Sequence, residues 1–156
     1  MKVGIIVHSK SGKTFLVARA IAEKFSGKNI SAEVIRLKPQ GEIHPGSKKI
    51  TISEPPSLDS FDTIIFGGPV WAFNASPVIT TFLKSTGNLN EKKLLCFITM
   101  GFPIAFLGGK QAINTMNKIL SKSGGTIFPG EVFTSLTIAN KQKRDTLVEQ
   151  IINKLQ

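Results

Sequence analysis

Tyrosine is absent from the 156 residues; cysteine and tryptophan occur once each and histidine twice. A lone cysteine, Cys96, has no partner for an internal disulfide, and no metal-ligating group or thiolate-activating neighbour stands near it, so set between Leu95 and Phe97 it reads as core. No stretch approaches the roughly 20 apolar residues that a membrane span needs. The apolar run after Lys2, Val3 to Val7, is too short for a signal-peptide core and passes straight into polar residues with no small-residue cleavage site. The expected location is therefore cytoplasmic, away from membranes. Acidic residues are also scarce, 10 against 20 lysines and arginines, for a formal net charge of +10. A field of that sign favours anionic ligands and an acidic partner surface. The lysines are spread along the chain, without a basic arm or interleaved stacking aromatics, so nucleic acid is not the expected partner and a generally solvated basic surface is the plain alternative.

What is present is an alternation of periods. Apolar runs of strand length occur at Lys2 to Val7, Ala32 to Leu37, Thr63 to Phe66, Lys93 to Ile98 and Thr126 to Phe133. Helical patterns lie between them. The first starts near Gly12, carries Ala18, Ile21, Ala22 and Phe25 on one face and stops at Gly27. The second has Ser76 as N-cap and Pro77 as first helical residue, and Gly87 closes it. A third runs from about Lys110 to Lys122, and the last starts after Asn140 and carries Leu147, Val148, Ile151, Ile152 and Leu155. Strict alternation predicts one α/β domain over residues 1–156, with five parallel strands, right-handed crossovers and helices on both faces. The segment from Lys38 to Ser57 is the exception, rich in proline and glycine around one short β-like stretch, Lys49 to Ile52.

In such a sheet, ligands bind beyond the carboxyl ends of the strands. The first loop there is His8-Ser9-Lys10-Ser11-Gly12-Lys13-Thr14, where a helix start supplies free amides and a positive dipole end, and three hydroxyls surround a glycine. That is a phosphate cradle; an ordinary N-cap is the simpler alternative. The Gly12-Lys13-Thr14 triplet also invites a P-loop nucleotide-binding reading, but that motif needs glycine where Val7 stands and a magnesium-holding carboxylate where strands three and four end in Phe66-Gly67-Gly68 and Ile98-Thr99-Met100. The second loop, Gly67 to Pro77, is expected to turn sharply off strand three at Gly67-Gly68-Pro69 and to present Trp71 at the sheet edge, placed to stack on a flat ring or to cover the next helix. The third, Thr99 to Gly109, is too apolar for an exposed loop and suits the other wall of a ring slot or a partner contact.

These three segments, in this order and spacing, resemble a short-chain flavodoxin over essentially the whole chain except Lys38 to Ser57. The resemblance implies a flavodoxin-like three-layer sandwich with strand order 2-1-3-4-5 and flavin mononucleotide (FMN) as cofactor. It implies phosphate contacts from Ser9, Lys10, Ser11, Gly12, Lys13 and Thr14, ring contacts from Pro69, Val70, Trp71, Ala72 and Phe73, and further ring contacts from Thr99, Met100, Gly101 and Phe102. The implied activity is redox: an electron carrier docking a redox partner protein, or an NAD(P)H-dependent enzyme reducing a small planar, quinone-like acceptor. A non-redox binding module on the same fold, holding an acidic partner or nucleic acid, is the alternative of another class. The chain departs from the family in its basic charge, in Lys10 and Lys13 within a usually neutral loop, and in lacking the tyrosine that often sandwiches the flavin, for which Phe102 is the substitute. Ala72 stands where many flavodoxins have a glycine that adopts positive φ on reduction. Alanine resists that conformation, which favours two-electron chemistry.

Overall fold

A computed structural model gives the fold for residues 1–103 and 107–156. In chain order the elements are β1 (Lys2–Val7), α1 (Lys13–Ser26), β2 (Ser31–Arg36), β3 (Lys38–Pro39), β4 (Ile52–Ser53), β5 (Thr63–Trp71), β6 (Asn74–Ala75) and α2 (Pro77–Ser85). They continue with β7 (Lys93–Thr99), α3 (Gly109–Leu120), β8 (Thr126–Phe133), α4 (Ser135–Ala139) and α5 (Lys141–Leu155). The five long strands are parallel in the order β2-β1-β5-β7-β8. That is the expected 2-1-3-4-5 order of a doubly wound flavodoxin-like sheet.

Side chains of a strand alternate between faces, and both faces here are covered. Ile6, Ile64, Phe66, Leu94, Cys96 and Ile98 point to the side of α2 and α3, where Val78, Ile79, Phe82 and Met116 meet them. Val3, Ile5, Val7, Ile65, Leu95 and Phe97 point to the side of α1 and α5, against Val17, Ile21, Phe25, Val148 and Ile152. Cys96 is fully buried with its thiol pKa pushed up by desolvation, so it belongs to the core as expected. No helix among the described residues is long and apolar enough to cross a membrane.

Two expectations need correction. Strand β5 does not end at Phe66: it continues through Gly67-Gly68-Pro69 to Trp71, with Gly67, Gly68 and Pro69 paired to Phe97, Ile98 and Thr99 of β7. The glycines serve packing, since a Cβ on Gly67 would lie 2.2 Å from the Phe97 ring and one on Gly68 2.9 Å from Ile79. The turn comes later, at Ala72-Phe73. Within Lys38 to Ser57, the short strand is Ile52–Ser53, paired antiparallel with Lys38–Pro39, rather than Lys49 to Ile52. The last helix starts at Lys141 on the Asn140 cap, as expected, and α4, a single helical turn capped by Thr134, is an addition that precedes it.

Candidate cofactor site

The loop after β1 is fixed from within. His8 donates its amide to the Gly67 carbonyl at 3.0 Å, which holds the end of β1 against β5. Ser9 is buried, and its hydroxyl accepts from the Phe15 amide at 3.2 Å. Its carbonyl accepts from Nε of Arg36 at 3.0 Å and from Nη2 of the same guanidinium. Gly12 caps α1 at φ 93, and its carbonyl accepts from the Leu16 amide. A Cβ there would meet no atom within 4 Å, so the loop requires glycine at this point for its φ. The amides of residues 10 to 14 have no hydrogen-bond partner among the described residues. Five consecutive free N–H groups at the positive end of a 14-residue helix form an anion cradle. Lys10, Ser11 and Lys13 are exposed around it.

Thr14 faces inward, and its hydroxyl lies 2.6 Å from that of Thr99 at the end of β7, both buried. One hydroxyl donates to the other, which leaves one proton of the pair for a further acceptor. This contact ties the first loop to the third, bringing together two of the three segments singled out from sequence. Met100 is buried and donates its amide to Phe133, whereas Gly101 is exposed and Phe102 is 52% exposed. The apolar stretch of the third loop at residues 104–106 lies outside the described residues.

In the second segment, Pro69, Val70 and Trp71 finish β5, and the chain folds back on itself as β6, pairing Val70 with Ala75 and Trp71 with Asn74. The two-residue turn is Ala72-Phe73, with φ of 49° and 65°. Such paired positive values suit glycine and asparagine. Ala72 therefore already holds the conformation it was expected to resist, and the preference for two-electron chemistry drawn from that resistance lapses. Phe73 is 58% exposed, and its backbone packs on Gly108, the left-handed cap of α3. Trp71 stands edge-on to His8, with ring centroids 5.1 Å apart, and the Lys10 ammonium lies 5.7 Å from the indole centroid.

His8 heads the first loop. It is buried, and Nδ1 lies 2.8 Å from the hydroxyl of Ser76, the cap of α2. Ser76 accepts from the Ile79 amide, so its own proton is free for Nδ1. Burial, then Arg36 and Lys10, lower the His8 pKa to about 4, so the ring is neutral at physiological pH. The part of that depression that Arg36 and Lys10 add to burial reflects a positive potential that an anion also meets at this edge.

The structure also brings in a segment that the sequence left without a role. A cavity of about 410 Å³ opens between the first loop and residues 36–44, lined by His8, Lys10, Arg36, Ile43, His44 and Trp71 among others. One of about 350 Å³ continues it past Trp71 to Pro45 and Ala72. The signal that this segment would turn back over Trp71 is tertiary: β3 pairs with β4, and Ile43, Ile50 and Ile52 pack on the core. Among the described residues no cluster of three metal-ligating side chains occurs.

No protein-family model matches the chain. Solved structures share its fold almost end to end. Flavodoxin 2 from Bacillus cereus superposes with a TM-score of 0.73 at 16% identity, covering 99% of this chain and 99% of that one. A flavodoxin of Streptococcus pneumonia TIGR4 gives 0.71 at 17% identity, covering 99% and 97%. A putative flavoprotein from Bacteroides uniformis gives 0.70 at 17%, covering 95% and 97%. At these identities the likeness is one of fold: the chain has the flavodoxin-like α/β architecture.

Proposed function

We propose that this protein, built on the flavodoxin-like fold, binds FMN at the carboxyl edge of its sheet and works as a redox protein. The observation that carries the proposal is the cradle. Five successive free amides, at residues 10 to 14, stand at the start of α1 beside the protein's only tryptophan, and a phosphate tethered to a flat ring matches both. FMN, when bound, supplies transfer of one or two electrons. The chain's own groups do the rest. Amides 10 to 14 and the Ser11 hydroxyl hold the phosphate, and Lys10 and Lys13 neutralise it. Ser9, Gly12 and Thr14 shape the loop, with the Thr14–Thr99 pair offering its spare proton. Pro69, Val70, Trp71, Ala72 and Phe73, with Thr99, Met100, Gly101 and Phe102, border the ring. Lys10 and Arg36 favour negative charge added to the bound ligand.

The same edge suits an acidic redox partner. Residues 8–22, 63–90, 92–130 and 132–144, which contain all the connections leaving the carboxyl ends of β1, β5, β7 and β8, contain no aspartate or glutamate. Exposed Leu16, Phe73, Phe102 and Leu136 lie on these connections, as do exposed Lys10, Lys13 and Lys110. Exposed apolar and cationic groups on connections without a carboxylate are complementary to an acidic surface.

Absorbance of the purified protein before and after adding FMN tests the reading. A flavin spectrum that stays with the protein through gel filtration supports it; a colourless protein that retains no added FMN overturns it. Steady-state oxidation of NADH or NADPH with a soluble quinone then separates a reductase, which turns over, from a carrier, which does not.

A further inference from the structure

Beyond the cofactor cradle lies the cleft between Trp71 and residues 36–45. Its two adjoining cavities, about 410 and about 350 Å³, share Lys10, Ile43, His44 and Trp71, and together they have the size of a small-molecule site. Residues 11–14 and 99–102 do not line either one, whereas Ser9, Lys10, Val70, Trp71 and Ala72, which also belong to the flavin reading, do. One wall is a half-buried indole. Leu37, Pro39 and Ile43 supply further apolar surface. Two cations, Lys10 and Arg36, face a single carboxylate, Glu42. Arg36 is held in place by its bonds to the Ser9 carbonyl and by the Phe15 ring 5.5 Å away, so its remaining N–H groups are already oriented.

We infer that this cleft is a second binding site, for a flat aromatic anion, separate from the amide cradle. The ring lies against Trp71 and the apolar wall, and the anionic group meets Arg36 and Lys10. The pKa of His8, lowered first by burial and then by Arg36 and Lys10, agrees with two cations acting at this end of the cleft. The inference goes beyond FMN binding, with Lys10 and Trp71 serving both ligands.

The test is calorimetric titration of the full-length protein with naphthalene-2-sulfonate, at saturating FMN and without FMN, with inorganic sulfate and neutral naphthalene-2-methanol as comparators. The emission of Trp71, the only tryptophan in a chain without tyrosine, gives an independent reading of the FMN-free protein. The sulfonate should bind at one site at least about tenfold tighter than the alcohol, with affinity falling as salt rises, and sulfate alone should not compete. Glu42→Gln, removing the cleft's carboxylate, should tighten sulfonate binding several-fold, a gain that misfolding does not produce. His44→Glu should weaken it roughly tenfold. Both residues are exposed and outside the cradle. Equal affinity for the alcohol, or variants without effect, would overturn the inference while leaving FMN binding intact. Mutual exclusion of the sulfonate and FMN would also overturn it, by making the cleft part of the cofactor site. If FMN does not bind but the sulfonate does, the cleft stands and the cofactor reading falls.

Discussion

Replacing Ala72 by glycine should stabilise the protein, although the substitution deletes a methyl group and adds no contact. Ala72 and Phe73 form a two-residue hairpin turn with φ of 49° and 65°. An L-residue in the left-handed region costs about 1–2 kcal/mol, which glycine avoids. Glycine gives back about 0.5–1 kcal/mol through the greater freedom of its unfolded chain. Ala72 is exposed, so its methyl contributes little packing. The difference is a net gain of about 0.5–1 kcal/mol, or about 1–4 °C in Tm for a chain of this size. Ala72→Asn, which tolerates the same region without the full entropy cost, should gain about as much, and Ala72→Val should lose more than 1 kcal/mol because branching at Cβ resists positive φ. Urea denaturation with an unchanged m-value reads all three. If glycine and asparagine both destabilise by about 0.5 kcal/mol or more, the turn does not hold the conformation described, and the strain argument fails.

Gly108→Ala should cost about 3 kcal/mol or more, because a Cβ there stands at φ 106 and 2.7 Å from the Phe73 Cα; a urea-measured loss under about 1 kcal/mol would mean that the two loops do not approach so closely. Thr14→Val and Thr99→Val should each lose about 1–2 kcal/mol, and the double variant less than the sum, since the buried hydroxyls are each other's partner; strict additivity in a double-mutant cycle would separate them. For His8, the folded pKa near 4 lies below the ordinary 6.5, so the unfolded chain binds the proton first. Its contribution is complete above about pH 6.5 and is lost as pH falls through 4, by about 3 kcal/mol. Urea midpoints of wild type and His8→Asn should therefore converge on acidification through that window, and parallel curves would contradict the buried, neutral imidazole.

The architecture was legible because period and punctuation agreed. Ser76-Pro77 marks the start of α2 by a cap and a residue that fits only the first turn, and the run Lys2 to Val7 fills a strand buried on both faces. What the sequence misstated came from residues whose meaning is set by distant partners. Gly67-Gly68 resembles a turn, but its glycines make room for Phe97 and Ile79 from other elements. Ala72-Phe73 lacks turn residues, yet its hairpin is held by β5 pairing and by Gly108. Of the candidate site, the first loop was readable because a helix start and its free amides are local in sequence. The contact of Thr14 with Thr99, 85 residues away, and the closing of residues 36–45 over Trp71 were not.

Calorimetric titration of the protein with FMN and with riboflavin, which has the same ring but no phosphate, is the most direct test of the cofactor site. Amides that bind a phosphate dianion through charge-assisted hydrogen bonds should make FMN at least about 100-fold tighter than riboflavin. Gly12→Val, which disturbs the left-handed cap of that loop, should remove most of this advantage and leave riboflavin binding nearly unchanged. Equal affinities for the two flavins in the wild type, or a Gly12→Val variant that prefers FMN as strongly as its parent, would contradict the assignment of residues 10–14 as the phosphate cradle.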